Sequence, residues 1–206
     1  MGILFGGWAV ARGDKIRERI SAAAFRLFRQ KGFLRSGVDE IAAASGVTKR
    51  TLYAHFGSKD ELLAQVMATQ AKLALDVFRT DFAPNAGSAR EIVATLFRDL
   101  GRWASTPRWA GPGYSRLAAE LADLPGHPAR AIARRHKSEL ETLLAERLAS
   151  AGVGDSHMLA RQIWLLMEGA MMTMLIHGDP AYIDAAADAA LVLLAGRAEG
   201  TETNPG

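Results

Sequence analysis

Apolar residues recur three and four positions apart along most of the chain, the spacing that places them on one face of an α-helix. No segment shows the two-residue alternation that is typical of a half-buried strand. The pattern therefore predicts an all-α fold of about nine helices. Two short helices are predicted within residues 32–63, and longer ones at about 15–31, 58–82, 88–105, 114–124, 129–151, 163–176 and 180–198.

Residues 32–63 have the pattern of a helix-turn-helix, in which two short helices are joined by a tight turn. Gly46 supplies that turn. Apolar residues at helical spacing on both sides of the turn would share one core: Val38, Ile41, Ala42, Leu52, Tyr53 and Phe56. Ser58 and Glu61 predict a capping box at the start of the next helix, in which the serine bonds the N–H of Glu61 and that carboxylate reaches back.

The second short helix begins with an unusual first turn. Thr48 can cap it, because its hydroxyl can accept a hydrogen bond from the backbone N–H of Thr51. Lys49 and Arg50 follow the cap, although the positive end of the helix dipole favours carboxylates there. A local preference that is broken in this way points to a function for the two cations.

Charge is distributed unevenly along the 206 residues. Residues 1–57 hold ten Lys/Arg and four Asp/Glu, residues 58–206 hold fifteen and eighteen, and the whole chain carries a net charge of +3. A basic N-terminal part fits a polyanion-binding surface, although a solvated charged face would show the same composition. The first helix, for which Asp14 is the predicted cap, adds cations that face either solvent or phosphate: Lys15, Arg19, Arg26 and Arg29.

Several classes of site are disfavoured. The chain has no cysteine, which excludes disulfides, thiolate nucleophiles and cysteine zinc sites and is compatible with a reducing cytoplasm. The five histidines lack the i, i+4 spacing of a zinc-binding helix, and no glycine-rich phosphate loop occurs. We therefore expect no catalytic residue, metal or cofactor. No run reaches 18 apolar residues, and the apolar helix at 163–176 would be too short to cross a bilayer, so we also expect no membrane association.

The helix-turn-helix region resembles the DNA-binding domain of the tetracycline-repressor family of bacterial transcriptional regulators. The matching segments are GF, VxxIA, SGVT, TLYxHF and SKDELL, in that order without gaps, within a resemblance that spans about residues 15–66. The resemblance implies a cytoplasmic homodimer that binds a palindromic DNA operator and acts as a ligand-responsive repressor. It divides the chain into an arm and DNA-binding domain at 1–57, an effector-binding and dimerisation domain at 58–198, and a disordered tail at 199–206.

The family's base-reading and phosphate-contacting positions fall on Ser36, Thr48, Lys49, Arg50, Thr51, Tyr53, His55 and Lys59 of this chain. The chemistry agrees, because cations on the first turn of the helix can reach a guanine edge, and hydroxyl and ring N–H groups suit phosphate oxygens. At Ser36 the chain departs from the family, since Gly37 stands where many members have a second hydroxyl residue. Tyr53 and His55 could instead be structural residues.

The resemblance further implies a small-molecule effector, apolar or aromatic, in the C-terminal part of the chain. The candidates for its pocket combine bulky apolar walls with a few polar tips: Trp103, Trp109, His136, Trp164, Met167, Glu168 and Met171. Each of them could equally be plain core. Glu168 is a carboxylate within an apolar helix, so it must be paired, protonated or facing solvent, and a ligand cation and the neighbouring Arg161 are the candidate partners.

The last two helices, at about residues 156–196, are the predicted dimer interface. One is apolar on nearly all sides and must be covered, and the small residues of the Ala-rich last helix allow another helix to pack closely. Two alternatives stay open, a helical interaction module that does not bind DNA and a regulator that has no small-molecule effector.

Overall fold

The structure is a computed structural model, and it describes residues 15–81, 87–107 and 109–199. The predicted cap at Asp14, the last residue of the helix predicted at 58–82 and most of the predicted tail lie outside these residues.

Nine α-helices and no strand lie in the described residues, which confirms the predicted fold class. They are α1 (Lys15–Lys31), α2 (Val38–Ser45), α3 (Lys49–His55), α4 (Lys59–Asp81), α5 (Ala89–Ala104), α6 (Gly113–Glu120), α7 (Pro128–Ser150), α8 (Ser156–His177) and α9 (Ala181–Glu199).

Two of the predicted helix boundaries were wrong. The short helix α6 ends at Glu120, four residues before the predicted end, and turns follow it. Helix α8 begins at Ser156 and has 22 residues, because Met158, Leu159 and Ala160 extend it in front of the polar pair Arg161 and Gln162.

With 22 residues, α8 is long enough to span a bilayer, whereas the helix predicted at 163–176 would have been too short. By length and composition alone, α8 could cross a membrane. A helix in the core of a globular protein can have the same length and composition. One side of α8 is buried in this way, by Leu159, Ala160, Ile163, Met167, Ala170 and Met171.

Residue contacts divide the chain into two compact units. The first comprises the chain up to Asp76 together with Gly113–His136, and the second comprises Val77–Pro112 together with the chain from Lys137 onward. Helices α4 and α7 each contribute residues to both units. The predicted domain boundary at residue 57 rests on the sequence motif and stays a prediction.

In the first unit, α1, α2 and α3 pack around one apolar cluster. Its buried members come from all three helices and from the start of α4: Ile20, Ala24, Leu27, Ile41, Ala42, Leu52, Phe56, Leu62 and Val66. A second cluster joins Phe33 to residues of α4, α6 and α7: Leu63, Met67, Leu117, Leu121 and Ala129. The predicted shared core of the helix-turn-helix is confirmed for all members except Tyr53, which is exposed.

In the second unit, α9 packs against both α5 and α8. Helix α5 buries a stripe of apolar residues that recur at helical spacing: Ile92, Val93, Leu96, Phe97, Leu100 and Ala104. Ser88 caps α5 in a complete capping box with Glu91, whose carboxylate accepts from the Ser88 N–H at 2.7 Å. The Ser88 N–H and hydroxyl lower the pKa of Glu91 below its ordinary value.

Candidate DNA-binding surface

The turn between α2 and α3 is made by Gly46, as the sequence predicts. Its φ of 65° lies in the left-handed region, which glycine adopts without the steric cost that a Cβ brings. The N–H groups of Gly46 and Val47 donate to the carbonyls of Ala43 and Ala42, both at 3.1 Å, so the free carbonyls at the end of α2 are satisfied.

Thr48 caps α3, which confirms the predicted hydrogen bond. The Thr51 N–H donates to Thr48 Oγ1 at 3.1 Å, and the hydroxyls of the two threonines lie 2.8 Å apart. The Thr48 hydroxyl therefore fixes the start of α3 while its side chain stays at the surface.

The first turn of α3 presents its cations to solvent. Lys49 and Arg50 are exposed. The Lys49 ammonium lies 3.1 Å from the carboxylate of Asp39, but both side chains are more than half exposed, so this pair contributes little to stability. Tyr53 follows one turn later and is 42% exposed, whereas Leu52 beside it is fully buried. One face of α3 thus belongs to the core and the other carries polar side chains.

Ser36 does not join this surface, and its prediction as a contact residue was wrong. The side chain is fully buried, and its hydroxyl donates to the carbonyl of Gly32 at 2.6 Å. A buried hydroxyl whose proton is already used cannot reach a phosphate. Ser36 instead closes the turn after α1.

Lys59 lies at the start of α4, where its ammonium is 4.2 Å from the centre of the Phe33 ring. Burial lowers the pKa of Lys59, and the nearby Asp60 and Glu120 act in the opposite direction. The ammonium therefore lies over an aromatic ring, and the side chain stays partly exposed at the surface.

The capping box predicted at the start of α4 is half confirmed. The Ser58 hydroxyl accepts from the Glu61 N–H at 3.0 Å, but the Glu61 carboxylate accepts from the Gly57 N–H at 2.9 Å instead of reaching Ser58. A Cβ at Gly57 would lie 2.9 Å from that carboxylate. The absence of a side chain at Gly57 leaves room for this contact.

Arg17 is not among the residues for which the sequence predicts a role, and Arg19 is predicted to face either solvent or phosphate. Both side chains bond to backbone carbonyls of the helix-turn-helix. No local pattern could have shown this, because the acceptors are 26 to 38 residues away in the sequence.

The predicted pocket residues are divided between the two units. His136 belongs to the first unit, where its ring lies against that of Tyr114 with the centroids 4.2 Å apart and the planes tilted by 30°. The Tyr114 hydroxyl donates to the carbonyl of Met67 at 2.9 Å, and burial raises the pKa of Tyr114 well above its ordinary value. The other predicted pocket residues lie in the second unit: Trp103, Trp109, Trp164, Met167, Glu168 and Met171.

Within the second unit these residues fall into separate groups. Trp103 and Trp109 meet edge to face, with ring centroids 5.6 Å apart. The indole nitrogen of Trp109 is buried and has no hydrogen-bond acceptor among the described residues. Met167 and Met171 are buried on the core side of α8.

Glu168 forms an ion pair with Lys137 of α7. The alternative of a pair with Arg161 was wrong, since the Arg161 guanidinium bonds Glu141 at 2.9 Å. The Lys137 ammonium also lies 5.4 Å from the ring centroid of Trp164. This cation therefore links two of the predicted pocket residues.

The second unit also contains an open groove of about 670 Å³ between α5 and α9. None of the predicted pocket residues lines it. Its walls are apolar with two arginines and an aspartate: Ala94, Phe97, Arg98, Gly101, Arg102, Ser105, Pro180, Ile183, Asp184, Ala187 and Leu191. No group of three or more His, Asp or Glu that could hold a metal ion occurs in residues 15–81, 87–107 and 109–199.

Comparisons with known proteins agree with this architecture. The family model described as bacterial regulatory proteins, tetR family, matches residues 20–66. The crystal structure of a putative TetR transcriptional regulator from Streptomyces avermitilis is 30% identical, covers 85% of this chain and 97% of its own, and superposes with a TM-score of 0.71. This chain belongs to the tetR family.

Two further relatives of this tetR-family chain support the assignment over most of its length. A TetR-family transcriptional regulator from Streptomyces coelicolor is 26% identical and has a TM-score of 0.79, with 89% of this chain and 96% of that chain covered. The HTH-type transcriptional regulator LmrA of Bacillus subtilis is 28% identical over 145 residues, which are 70% of this chain and 76% of that protein. The tetR-family chain is a DNA-binding transcriptional regulator.

Proposed function

We propose that this regulator is a dimeric repressor that binds a palindromic operator through α3 and is released by a small molecule. The observation that carries the DNA-binding part is the first turn of α3, where a threonine cap is followed by two exposed cations. Cations at the exposed N-terminal end of a recognition helix are suited to the major groove, where base edges can be read.

The contacts divide into two kinds. We assign Arg50 and Lys49 to base edges, because a guanidinium makes a bidentate contact to guanine and an ammonium can donate to the same acceptors. We assign phosphate contacts to residues with hydroxyl, ring N–H or ammonium donors: Thr48, Thr51, Tyr53, His55 and Lys59. Phosphate contacts fix the register of the protein on DNA and carry no sequence information themselves.

The proposed dimer interface is formed by α8 and α9, within the predicted range of residues 156–196. Large apolar side chains on these helices face solvent in the single chain, among them Leu165 at 67%, Ile176 at 73% and Val192 at 72% exposure. Met158, Met172, Leu175 and Tyr182 are exposed on the same two helices. An apolar surface of this kind supports association with a second copy, and a two-fold dimer matches a palindromic operator.

The proposed effector is an apolar or aromatic molecule bound in the second unit. Two features support this choice: the indole N–H of Trp109, which could donate to a ligand, and the Lys137–Glu168 pair beside Trp164. Polar tips of this kind among apolar walls are typical of ligand pockets. We leave His136 out of the proposed pocket, because its ring is buried and packs against Tyr114.

The role of Glu168 can be tested by Glu168→Gln. Removing this charge leaves the Lys137 ammonium without its ion-pair partner in a half-buried position, so we expect the free energy of unfolding to fall by about 1–2 kcal/mol. We also expect weaker release of the operator by an aromatic cation that does not itself intercalate into DNA, such as tetraphenylphosphonium. Glu141→Gln is the matched control, because Glu141 pairs with the largely exposed Arg161. Unchanged dimer stability and unchanged release in Glu168→Gln would contradict a functional role.

A regulator without an effector is the second candidate. The observation that favours it is the burial of Met167 and Met171, which leaves these side chains as core residues of α8. In either case we propose that the protein works without catalysis, metal or cofactor and acts in the cytoplasm.

The experiment that tests the proposed function is selection of genomic DNA fragments by the purified full-length protein. We expect the selected fragments to share a palindrome whose half-sites are separated by one helical turn of DNA, about 34–36 Å, or a multiple of it. Fragments without a shared motif, or with a single half-site, would contradict a dimeric DNA reader.

A further inference from the structure

Two arginines of α1 bond to the C-terminal ends of the two helices of the helix-turn-helix. Arg17 reaches the end of α3, and Arg19 reaches the end of α2. The last carbonyls of a helix have no partner within the helix and carry its negative dipole end, so a cation is favourable there. Helix α1 therefore contacts both α2 and α3 in the same way, through an arginine that donates to carbonyls at the C-terminal end of each helix.

Arg17 connects three helices. One guanidinium nitrogen donates to the carbonyl of His55, the last residue of α3, at 2.6 Å, and the other donates to the side chain of Gln65 in α4. The guanidinium carbon lies 4.3 Å from the ring centroid of Phe56, a core residue. The side chain is thus fixed by two hydrogen bonds and an aromatic face.

Arg19 makes the corresponding contacts at the end of α2. Its Nε and Nη2 atoms donate to the carbonyl of Ser45 at 3.1 and 2.7 Å, and Nη2 also donates to the carbonyl of Gly46 at 2.9 Å. A Cβ at Gly46 would lie 3.2 Å from that Nη2 atom. The glycine therefore serves the turn and also leaves room for the guanidinium.

The recognition helix depends on such contacts because it is short. Helix α3 has seven residues, and an isolated helix of this length is unstable in water. Leu52 and Phe56 fix the side of the helix that faces the core, and the Thr48 cap fixes its start. Arg17 holds the remaining end, so it contributes to the angle at which Lys49 and Arg50 are presented.

We propose that Arg17 and Arg19 are positioning residues for operator recognition, with Arg17 orienting α3 and Arg19 orienting α2. The inference rests on the proposed DNA contacts of α3. In this proposal the guanidinium groups of Arg17 and Arg19 bind backbone carbonyls of the protein. In a phosphate-binding role they would instead bind DNA. The planar guanidinium is required at Arg17, because a single ammonium cannot bond the His55 carbonyl and Gln65 in the same fixed geometry.

The DNA-binding test compares Arg17→Ala, Arg17→Lys and Arg19→Ala with Arg26→Ala, which removes the same charge from an exposed position of α1. Affinity is measured for the selected operator and for an unrelated duplex at several salt concentrations. Relative to Arg26→Ala, we expect Arg17→Ala and Arg17→Lys to lose about tenfold in operator affinity, and affinity for unrelated DNA to change by less than about twofold. Arg19→Ala should show the same pattern.

The salt dependence separates positioning from phosphate contact. Loss of a phosphate contact reduces the slope of log affinity against log salt by about 0.9 for each contact, whereas loss of a positioning residue leaves the slope at the wild-type value. A reduced slope for Arg17→Ala, together with operator affinity restored by Arg17→Lys, would overturn the proposal. A merely structural role would lower thermal stability without changing the ratio of operator to unrelated affinity, and that result would overturn it as well.

A second test needs no DNA and therefore stands apart from the proposed function. Amide hydrogen exchange of the free protein should become faster in α3 for Arg17→Ala and in α2 for Arg19→Ala, with α5 as the internal reference. If the amide exchange rates of α2 and α3 in the variants equal those in wild type, the two arginines do not position these helices. If the exchange pattern changes as expected but no operator is found, the DNA-binding proposal fails and the structural assignment stands.

Discussion

The double variant Ile176→Glu and Val192→Glu is expected to be a folded monomer that has lost most of its operator affinity. Both side chains are more than 70% exposed in the single chain, one on α8 and the other on α9. Their replacement leaves the core of the protomer intact but places four carboxylates in the proposed two-fold interface. Burying unpaired charge is strongly unfavourable, so the dimer should dissociate.

The loss of affinity should be large because a dimer binds two half-sites at once. Linking two binding events commonly increases overall affinity by about 10²–10⁴, and a monomer loses that gain. Oligomeric state would be measured by sedimentation, and operator affinity by titration of a labelled duplex at fixed salt.

Leu124→Glu is the control for adding a carboxylate at an exposed leucine. Leu124 lies between α6 and α7, outside α8 and α9, and its side chain is also exposed. We expect this variant to remain a dimer with nearly wild-type operator affinity. A double variant that stays dimeric and binds the operator as wild type does would show that the interface lies elsewhere.

Arg50→Ala is expected to relax the preference for one base pair in each half-site of the operator. A bidentate contact of arginine to guanine contributes about 1–3 kcal/mol of discrimination against the wrong base. The measurement is the affinity of wild type and variant for the operator and for a set of single base-pair substitutions. Substitution of the contacted base pair should lower the affinity of the wild-type protein for the operator. The same substitution should have little further effect on the affinity of Arg50→Ala.

Lys59→Ala provides the comparison for Arg50→Ala. Lys59 is assigned to phosphate, so its loss should weaken binding by a similar factor for every operator sequence. If Arg50→Ala also weakens binding by a similar factor for every operator sequence, Arg50 contacts phosphate, and another residue of α3 must contact the bases.

The features that local chemistry determines could be predicted from the sequence. The Thr48 cap and the turn at Gly46 depend on residues only a few positions apart, and both are confirmed. The buried stripe of α5 likewise follows directly from helical periodicity. The capping box at Ser58 was half right because the Glu61 carboxylate can reach two adjacent backbone N–H groups, and the local pattern does not choose between them.

The features that depend on tertiary contacts could not be predicted. Ser36 has the residue type of a phosphate contact, and only the packed fold shows that its hydroxyl is buried. Glu168 pairs with Lys137, which is 31 residues earlier, instead of the nearby Arg161. The carbonyl contacts of Arg17 and Arg19 likewise arise only once α1, α2 and α3 have packed together.

The central claim, that this tetR-family protein reads DNA through α3, is tested most directly by the salt dependence of its operator affinity. A protein that makes 6–10 phosphate contacts loses about 10³–10⁵ in affinity between 50 and 200 mM salt through counterion release. We predict a loss of this size for the wild-type dimer on its selected operator, with tighter binding than to unrelated DNA at every salt concentration. Salt-insensitive binding, or equal affinity for operator and unrelated DNA, would contradict the claim.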